Sequence, residues 1–387
     1  MKGVKNILEH GNFCYYLNEK REACIENYLG SDSELRIPET LDGHAVTQIV
    51  MRAFKNEKKI KTLYIPATIE KISDEAFVGC VNLEEIIVDA NNKYYCDVDG
   101  ILYSKNKQVQ VRIPAKYRKG PVLTEPREVV KMENHVMESN TTVNKKIISD
   151  YVTKIGHCAF YNSKLNKISI SRNVKRIDFC TFNGCKNLEE VEIRGNILEE
   201  IQMGAFAGCG ALKTITIPDS CRIIGHQAFS GCRSLGSLQL PGKLECLGDM
   251  SFSDCRSLRE LIIPDSCDSI EKSAFRGCFS LRKITLPKSL EILDEWVFKG
   301  CQALKTIEIP DGVEEINDNA FDGCDSLKLI TIPDSVLSIK VWENHINLKK
   351  TIIKCNPGSY AEEWAKAYGA RTRPIVSELD KLLKSDD

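Results

Sequence analysis

A phenylalanine returns at a fixed interval along this chain. From Phe206 through Phe229, Phe252, Phe275 and Phe298 to Phe321 every step is 23 residues. Phe54 and Phe77 are also 23 apart, and Phe160, Phe182 and Phe206 follow at steps of 22 and 24. Met137 stands 23 residues before Phe160 and reads as a degenerate member of the series. Self-similarity at such a period marks a repeat architecture: one short unit cannot bury its apolar face alone, and stacking neighbours closes the core.

Other residues keep register with the phenylalanine. A cysteine follows three positions later at Cys80, Cys185, Cys209, Cys232, Cys255, Cys278, Cys301 and Cys324. A leucine follows six positions later, as at Leu212, Leu235 and Leu258. Then come two alternating apolar residues, such as Ile215 and Ile217, closed by a proline such as Pro218. Alternation with period two places the apolar pair on one face of a strand. Proline has no N–H for the ladder and suits the strand's end. The Gly-Cys pair after the phenylalanine, as in Gly208-Cys209, suits a tight turn. Stacking sets phenylalanine on phenylalanine and cysteine on cysteine, with the strands in one parallel sheet.

Composition excludes several classes. The 387 residues carry 53 Lys+Arg against 54 Asp+Glu, a net charge of -1, which gives no electrostatic reason to expect nucleic acid or an anionic membrane as partner. Lys2 and Lys5 are not followed by an apolar run of signal-peptide length, and no stretch approaches a membrane span. Eight of the 17 cysteines form a column at one repeat position, which reads as a ladder rather than a disulfide framework. A ladder of buried thiols donating weakly to turn backbone is the expected state, and it fits a reducing or anaerobic setting. Cys221 and Cys267 take the place of Leu244, Leu290 and Val313 and are expected in the core.

The repeat Ile217-Pro-Asp-Ser-Cys221-Arg-Ile-Ile-Gly-His-Gln-Ala-Phe229-Ser-Gly-Cys232 resembles the BspA-type leucine-rich repeat, from about Phe13 to Ile375. The resemblance implies a leucine-rich-repeat solenoid, usually on a cell surface or secreted, bound to host matrix or other proteins, with no catalytic residues. The fold class expected is an α/β repeat solenoid, a right-handed superhelix with a parallel β-sheet on one face, an N-terminal hairpin cap and a C-terminal helix cap. With no leader visible, a cytoplasmic location stays open beside the family's usual one.

The expected organisation has four parts. Residues 1–53 form an N-terminal cap and first extended repeat, with Phe13–Leu17 in a hairpin with the stretch before Ile37-Pro38. Residues 54–350 form the solenoid, with a hairpin insert at about 89–125 turning at Asp99-Gly100. Residues 126–150 are a degraded repeat, with Met137 for Phe and Asn140 for Cys, expected to pack more loosely. Residues 351–375 are a capping repeat and helix, in which Tyr360, Trp364 and Tyr368 share one face and Gly369 ends it. Residues 376–387 are a flexible tail.

For chemistry the sequence offers little. No Cys-x-x-Cys or Cys-x-x-His occurs, and a line of thiols is not a tetrahedron, so no metal site or cofactor is expected. Thiol catalysis needs a Cys beside a His. His157 adjoins Cys158 and His226 lies near Cys221, but both histidines occupy variable, outward slots. No catalytic residue is assigned.

The candidate binding residues are those that flank the inward apolar pair and face away from the core. They are Glu190, Glu192, Thr214, Thr216, Gln239, Glu260, Ile262, Lys283, Thr285, Glu308, Leu329 and Thr331, with Ser237 and Thr306 in the same rows. Ile262 and Leu329 are apolar where water is expected and mark a contact patch. The reading is a non-enzymatic interaction or adhesion protein, monomeric, with a protein partner. An intracellular scaffold is one alternative. A carbohydrate-binding module is another; it needs exposed aromatics in line, and only Tyr94, Tyr95 and Tyr103 cluster.

Overall fold

The computed structural model describes residues 6–118, 120, 122–124, 126–340 and 350–375. They divide into two compact units, Met1–Ile197 and Leu198–Asp387. The expected tail at 376–387 lies outside the described residues.

Each unit is a parallel β-solenoid. In Leu198–Asp387 one ladder pairs Glu260–Ile262 with Lys283–Thr285, and another pairs Thr306–Glu308, Leu329–Thr331, Ile352–Lys354 and Arg371–Arg373, all parallel. The 23-residue period is the register itself: Leu261 faces Ile284, and Ile307 faces Ile330. The proline at the strand's end begins a turn instead of continuing the ladder. Its carbonyl accepts from the residue three ahead, as Pro264 does from Cys267 at 2.9 Å. A second ladder of two-residue strands follows, Ile223–Ile224, Cys246–Leu247 and Ser269–Ile270.

The turn after it holds the core. The rings of Phe206, Phe229, Phe252, Phe275, Phe298 and Phe321 stack at centroid spacings of 5.2 to 5.8 Å and within 15° of parallel. Each turn has two left-handed residues, such as Asn319 (φ 55) and Gly323 (φ 70), four positions apart. That spacing forbids a helical run. The α/β expectation is corrected accordingly: the segments opposite the wide sheet are turns and two-residue strands, and one helix occurs among the described residues. This helix, α1 (Tyr360–Ala367), starts at Ser359, whose side chain accepts from Glu362 N. Tyr360 and Trp364 on the helix and Tyr368 at its C-cap do not share one buried face. Trp364 is buried with Ala361 and Ala365, whereas Tyr360 and Tyr368 are 42% and 47% exposed. A step of four residues overshoots a helical turn by about 40°, so only the middle of the three faces inward.

Met1–Ile197 opens on an antiparallel meander, β1 (Leu8–His10), β2 (Phe13–Leu17) and β3 (Ala23–Tyr28). The hairpin partner of Phe13–Leu17 is thus Ala23–Tyr28. Glu34–Arg36, directly before Ile37-Pro38, pairs parallel with Thr62–Ile65 instead. The insert is a hairpin, Tyr95–Val98 against Ile101–Ser104, turned by Asp99 (φ 57) and Gly100 (φ 81). Both left-handed conformations are what a two-residue hairpin turn needs. Val109–Arg112 then resumes a parallel ladder with Lys131–Met132. The degraded repeat is closed: Met137 and Asn140 are fully buried. Asn140 Nδ2 donates to Pro114 O at 2.7 Å, 26 residues earlier.

Candidate functional site

Alternation along each strand sends one residue into the core and its neighbours outward. In Leu198–Asp387 the outward residues form two rows. One holds Thr214, Ser237, Glu260, Lys283, Thr306 and Leu329; the other holds Thr216, Gln239, Ile262, Thr285, Glu308 and Thr331. Strand pairing sets Glu260 beside Lys283 and Ile262 beside Thr285, and again Thr306 beside Leu329 and Glu308 beside Thr331. All are exposed except Leu329 and Thr331, which are half-buried.

The two apolar members therefore differ. Ile262 is 72% exposed, whereas Leu329 is partly covered. Beside Ile262 lies a shallow hollow floored by Leu238, Leu240, Leu261 and Pro264 and edged by Gln239 and Glu260. An exposed isoleucine continuous with an apolar hollow is a surface that gains by being covered.

The remaining candidates, Glu190 and Glu192, lie in Met1–Ile197. There Lys145, Lys167 and Glu190 form one row, and Ile147, Ser169 and Glu192 the other. Lys167 Nζ lies 2.7 Å from Glu190 Oε2, and hydrogen bonding to that carboxylate raises the lysine's pKa. The pair is solvated, so it contributes little. In the same unit the Arg36 guanidinium sits 3.6 Å above the Tyr64 ring on neighbouring outward positions.

The thiols have structural partners. Cys80, Cys185, Cys232, Cys255, Cys278, Cys301 and Cys324 each donate Sγ–H to the carbonyl of the phenylalanine one coil earlier, at 3.0 to 3.3 Å. Burial pushes Cys80 up to about 11 and Cys278 and Cys324 up to about 12. Cys221 donates to Ile223 O at 3.5 Å, while His226 Nδ1 faces Asp249 Oδ2 at 3.3 Å. Cys158, next to His157, hydrogen-bonds Cys180, and that bond lowers the Cys180 pKa.

The structure also collects residues that the spacing leaves apart. Glu75, His135 and His157 each bring one donor atom within 4.8 Å of the others. Their separations of 60 and 22 residues match no short ligand motif. The only legible signal is that His135 and His157 fall at similar places in successive repeats.

Among the described residues no helix is long and apolar enough to cross a membrane. The family model for the BspA type leucine rich repeat region matches in six copies over residues 31–115, 122–236 and 222–349. The chain belongs to the BspA-type leucine-rich-repeat family. No curated protein sequence matches it. Among solved structures this BspA-type chain is similar to a leucine-rich cell surface protein of Faecalibacterium prausnitzii, at 22% identity and TM-score 0.53, covering 98% of this chain and 97% of that one. It is also similar to a leucine-rich repeat protein of Bacteroides ovatus, at 21% identity and TM-score 0.49, covering 95% and 99%. The first likeness shows the leucine-rich-repeat fold. The matching family is a repeat family of binding scaffolds, not a catalytic one.

Proposed function

We infer that this BspA-type protein is a non-catalytic interaction or adhesion protein whose sheet face binds another protein. The observation that carries the reading is Ile262, 72% exposed beside an apolar hollow and rimmed by Gln239, Glu260 and Thr285. An apolar centre with a polar rim is the anatomy of a protein interface. Ile262 itself sits on a paired strand, Glu260–Ile262 against Lys283–Thr285, so little backbone entropy is lost there on binding. Within this reading β1 to β3 and α1 serve as caps, the coils wind as a right-handed superhelix, and the division into cap, solenoid, terminal repeat and tail follows the boundaries above.

A carbohydrate platform is less favoured by the same surface. Tyr103 is buried, and the Tyr95 hydroxyl accepts from Ile72 N at 2.9 Å. Tyr94 alone is left exposed to stack on a sugar ring.

The test is affinity capture from the source cells with the wild-type chain and with Ile262→Lys. The substitution is at an exposed site and should change stability by about 0.5 kcal/mol or less. Loss of a captured protein with Ile262→Lys, its recovery unchanged with Arg233→Glu on the turns, supports the reading. An identical set of captured proteins with both variants overturns it. Protease treatment of intact cells, run alongside, decides between a surface adhesin and an intracellular scaffold.

A further inference from the structure

The geometry points to a transition-metal site of the zinc class in Met1–Ile197, formed by Glu75, His135 and His157. One donor atom of each lies within 4.8 Å of the other two, and all three residues are half-buried. Two imidazoles and a carboxylate are a donor set that zinc takes with a fourth position left open. Donors about 2.0–2.2 Å from a tetrahedral ion stand roughly 3.3 Å apart. Small side-chain rotations close the present spacing to that value.

The convergence has a cause in the fold. The insert at 89–125 contains no phenylalanine and adds no turn of the repeat type. The chain passes from Val109–Arg112 straight to Ile113, whose N–H donates to Val136 O at 2.6 Å. Arg112 fills the gap in the column of turns. It is 2% exposed; Nη2 donates to Phe77 O at 3.2 Å and Nη1 to His135 O. One guanidinium thus joins the turn that carries Glu75 to the turn that carries His135. His157 comes from the next coil, with its N–H donating to Asn134 Oδ1 at 2.9 Å.

A further carboxylate stands behind the first histidine. Glu138 has a side chain 7% exposed, and its Oε2 lies 3.3 Å from His135 Nδ1 and 3.7 Å from Arg112 Nη1. Neither His135 Nδ1 nor Glu138 Oε2 has a hydrogen-bond partner, so the carboxylate adds negative charge beside the cluster without holding the ring by a hydrogen bond. The His135 and His157 rings stand edge to face, 5.8 Å apart. The three residues line one hollow with Arg52, Cys158 and Phe179. Arg52 Nε donates to Glu75 Oε2 at 2.8 Å and must share that carboxylate with the ion.

The experiment is competition for Zn²⁺ between the full-length reduced chain and a chromophoric chelator. One ion per chain is expected, with affinity falling at least about tenfold in His157→Gln and in Glu75→Gln. Cys158→Ser/Cys180→Ser should keep wild-type affinity to within about threefold, since thiols are the competing zinc ligands here. His157 is half-buried, so His157→Gln is expected to fold, checked by circular dichroism without metal; the decision rests on it if His135→Ala does not fold. Saturating Zn²⁺ should also raise the wild-type unfolding midpoint and leave that of His157→Gln unmoved. Failure of the wild type to compete, full affinity in His157→Gln, or loss of binding only in the cysteine variant overturns the assignment.

Discussion

Cys255 Sγ lies 3.3 Å from the carbonyl oxygen of Phe229, one coil back, and Cys278 repeats the contact on Phe252 at the same distance. The phenylalanine fills the core, and its carbonyl oxygen, which accepts from the N–H three residues on in its own turn, takes a second hydrogen bond from the thiol of the next coil. Cys255→Ala removes the donor and the sulfur's packing at a fully buried site. It should cost about 1–3 kcal/mol, read as a fall in the urea midpoint of the reduced chain. Cys246→Ala, at a half-exposed position, should cost about 0.5 kcal/mol or less.

The same ladder governs reactivity. Cys96, Cys158, Cys180 and Cys246 are the half-exposed thiols, and the other thirteen are buried. Brief alkylation of the native chain at neutral pH should modify those four and spare the ladder, as counted by intact mass and peptide mapping. Cys180 should react first, because the hydrogen bond from Cys158 stabilises its thiolate. Early labelling of Cys232 or Cys278 would show that the turns open far more easily than their packing allows.

Alkali should unfold the chain in a defined window. Cys278 and Cys324 have folded-state values near 12 against an ordinary 9.0. Above pH 9 the unfolded chain loses these protons while the folded chain keeps them, so the unfolded state gains. Their contribution is complete below about pH 9 and is lost as pH rises towards 12. The urea midpoint, flat from this source between pH 7 and 8.5, should fall steadily from pH 9 to 11. A midpoint that stays level to pH 11 contradicts the buried-thiol account.

Phenylalanines of the same chain should separate by position. Phe252 stacks between Phe229 and Phe275 at 5.2 and 5.8 Å, and Phe252→Ala should cost about 3–5 kcal/mol. Phe279 is outside the column, exposed, with Arg256 5.1 Å above its ring. Phe279→Ala should cost about 1 kcal/mol or less. Urea unfolding followed by circular dichroism compares the two.

What was legible in the sequence follows from what the period encodes. A 23-residue interval states which residues are neighbours, so the phenylalanine stack, the thiol ladder and the outward rows around Ile262 could all be read from it. The interval does not state how the chain crosses from one strand to the next. That crossing depends on φ at residues such as Trp296 and Asn319, both left-handed without being glycine, so turns took the place of helices. Nor does a period describe its own interruption. The insert brings Glu75 near His135 across 60 residues, and the part played by Arg112 shows only once the missing turn is seen. Exposure at the ends of a row also depends on local cover, which is why Leu329 is half-buried and Ile262 is not.

The most direct test of the central claim is photo-crosslinking from the sheet face. A benzophenone amino acid placed at Gln239, at Thr285 and, as control, at Arg233 on the turns reports what each position touches in the source cells. The account predicts one shared protein adduct from Gln239 and Thr285 and none from Arg233. Adducts from Arg233 alone, or none from the sheet face under conditions where the chain is folded and present, would contradict it.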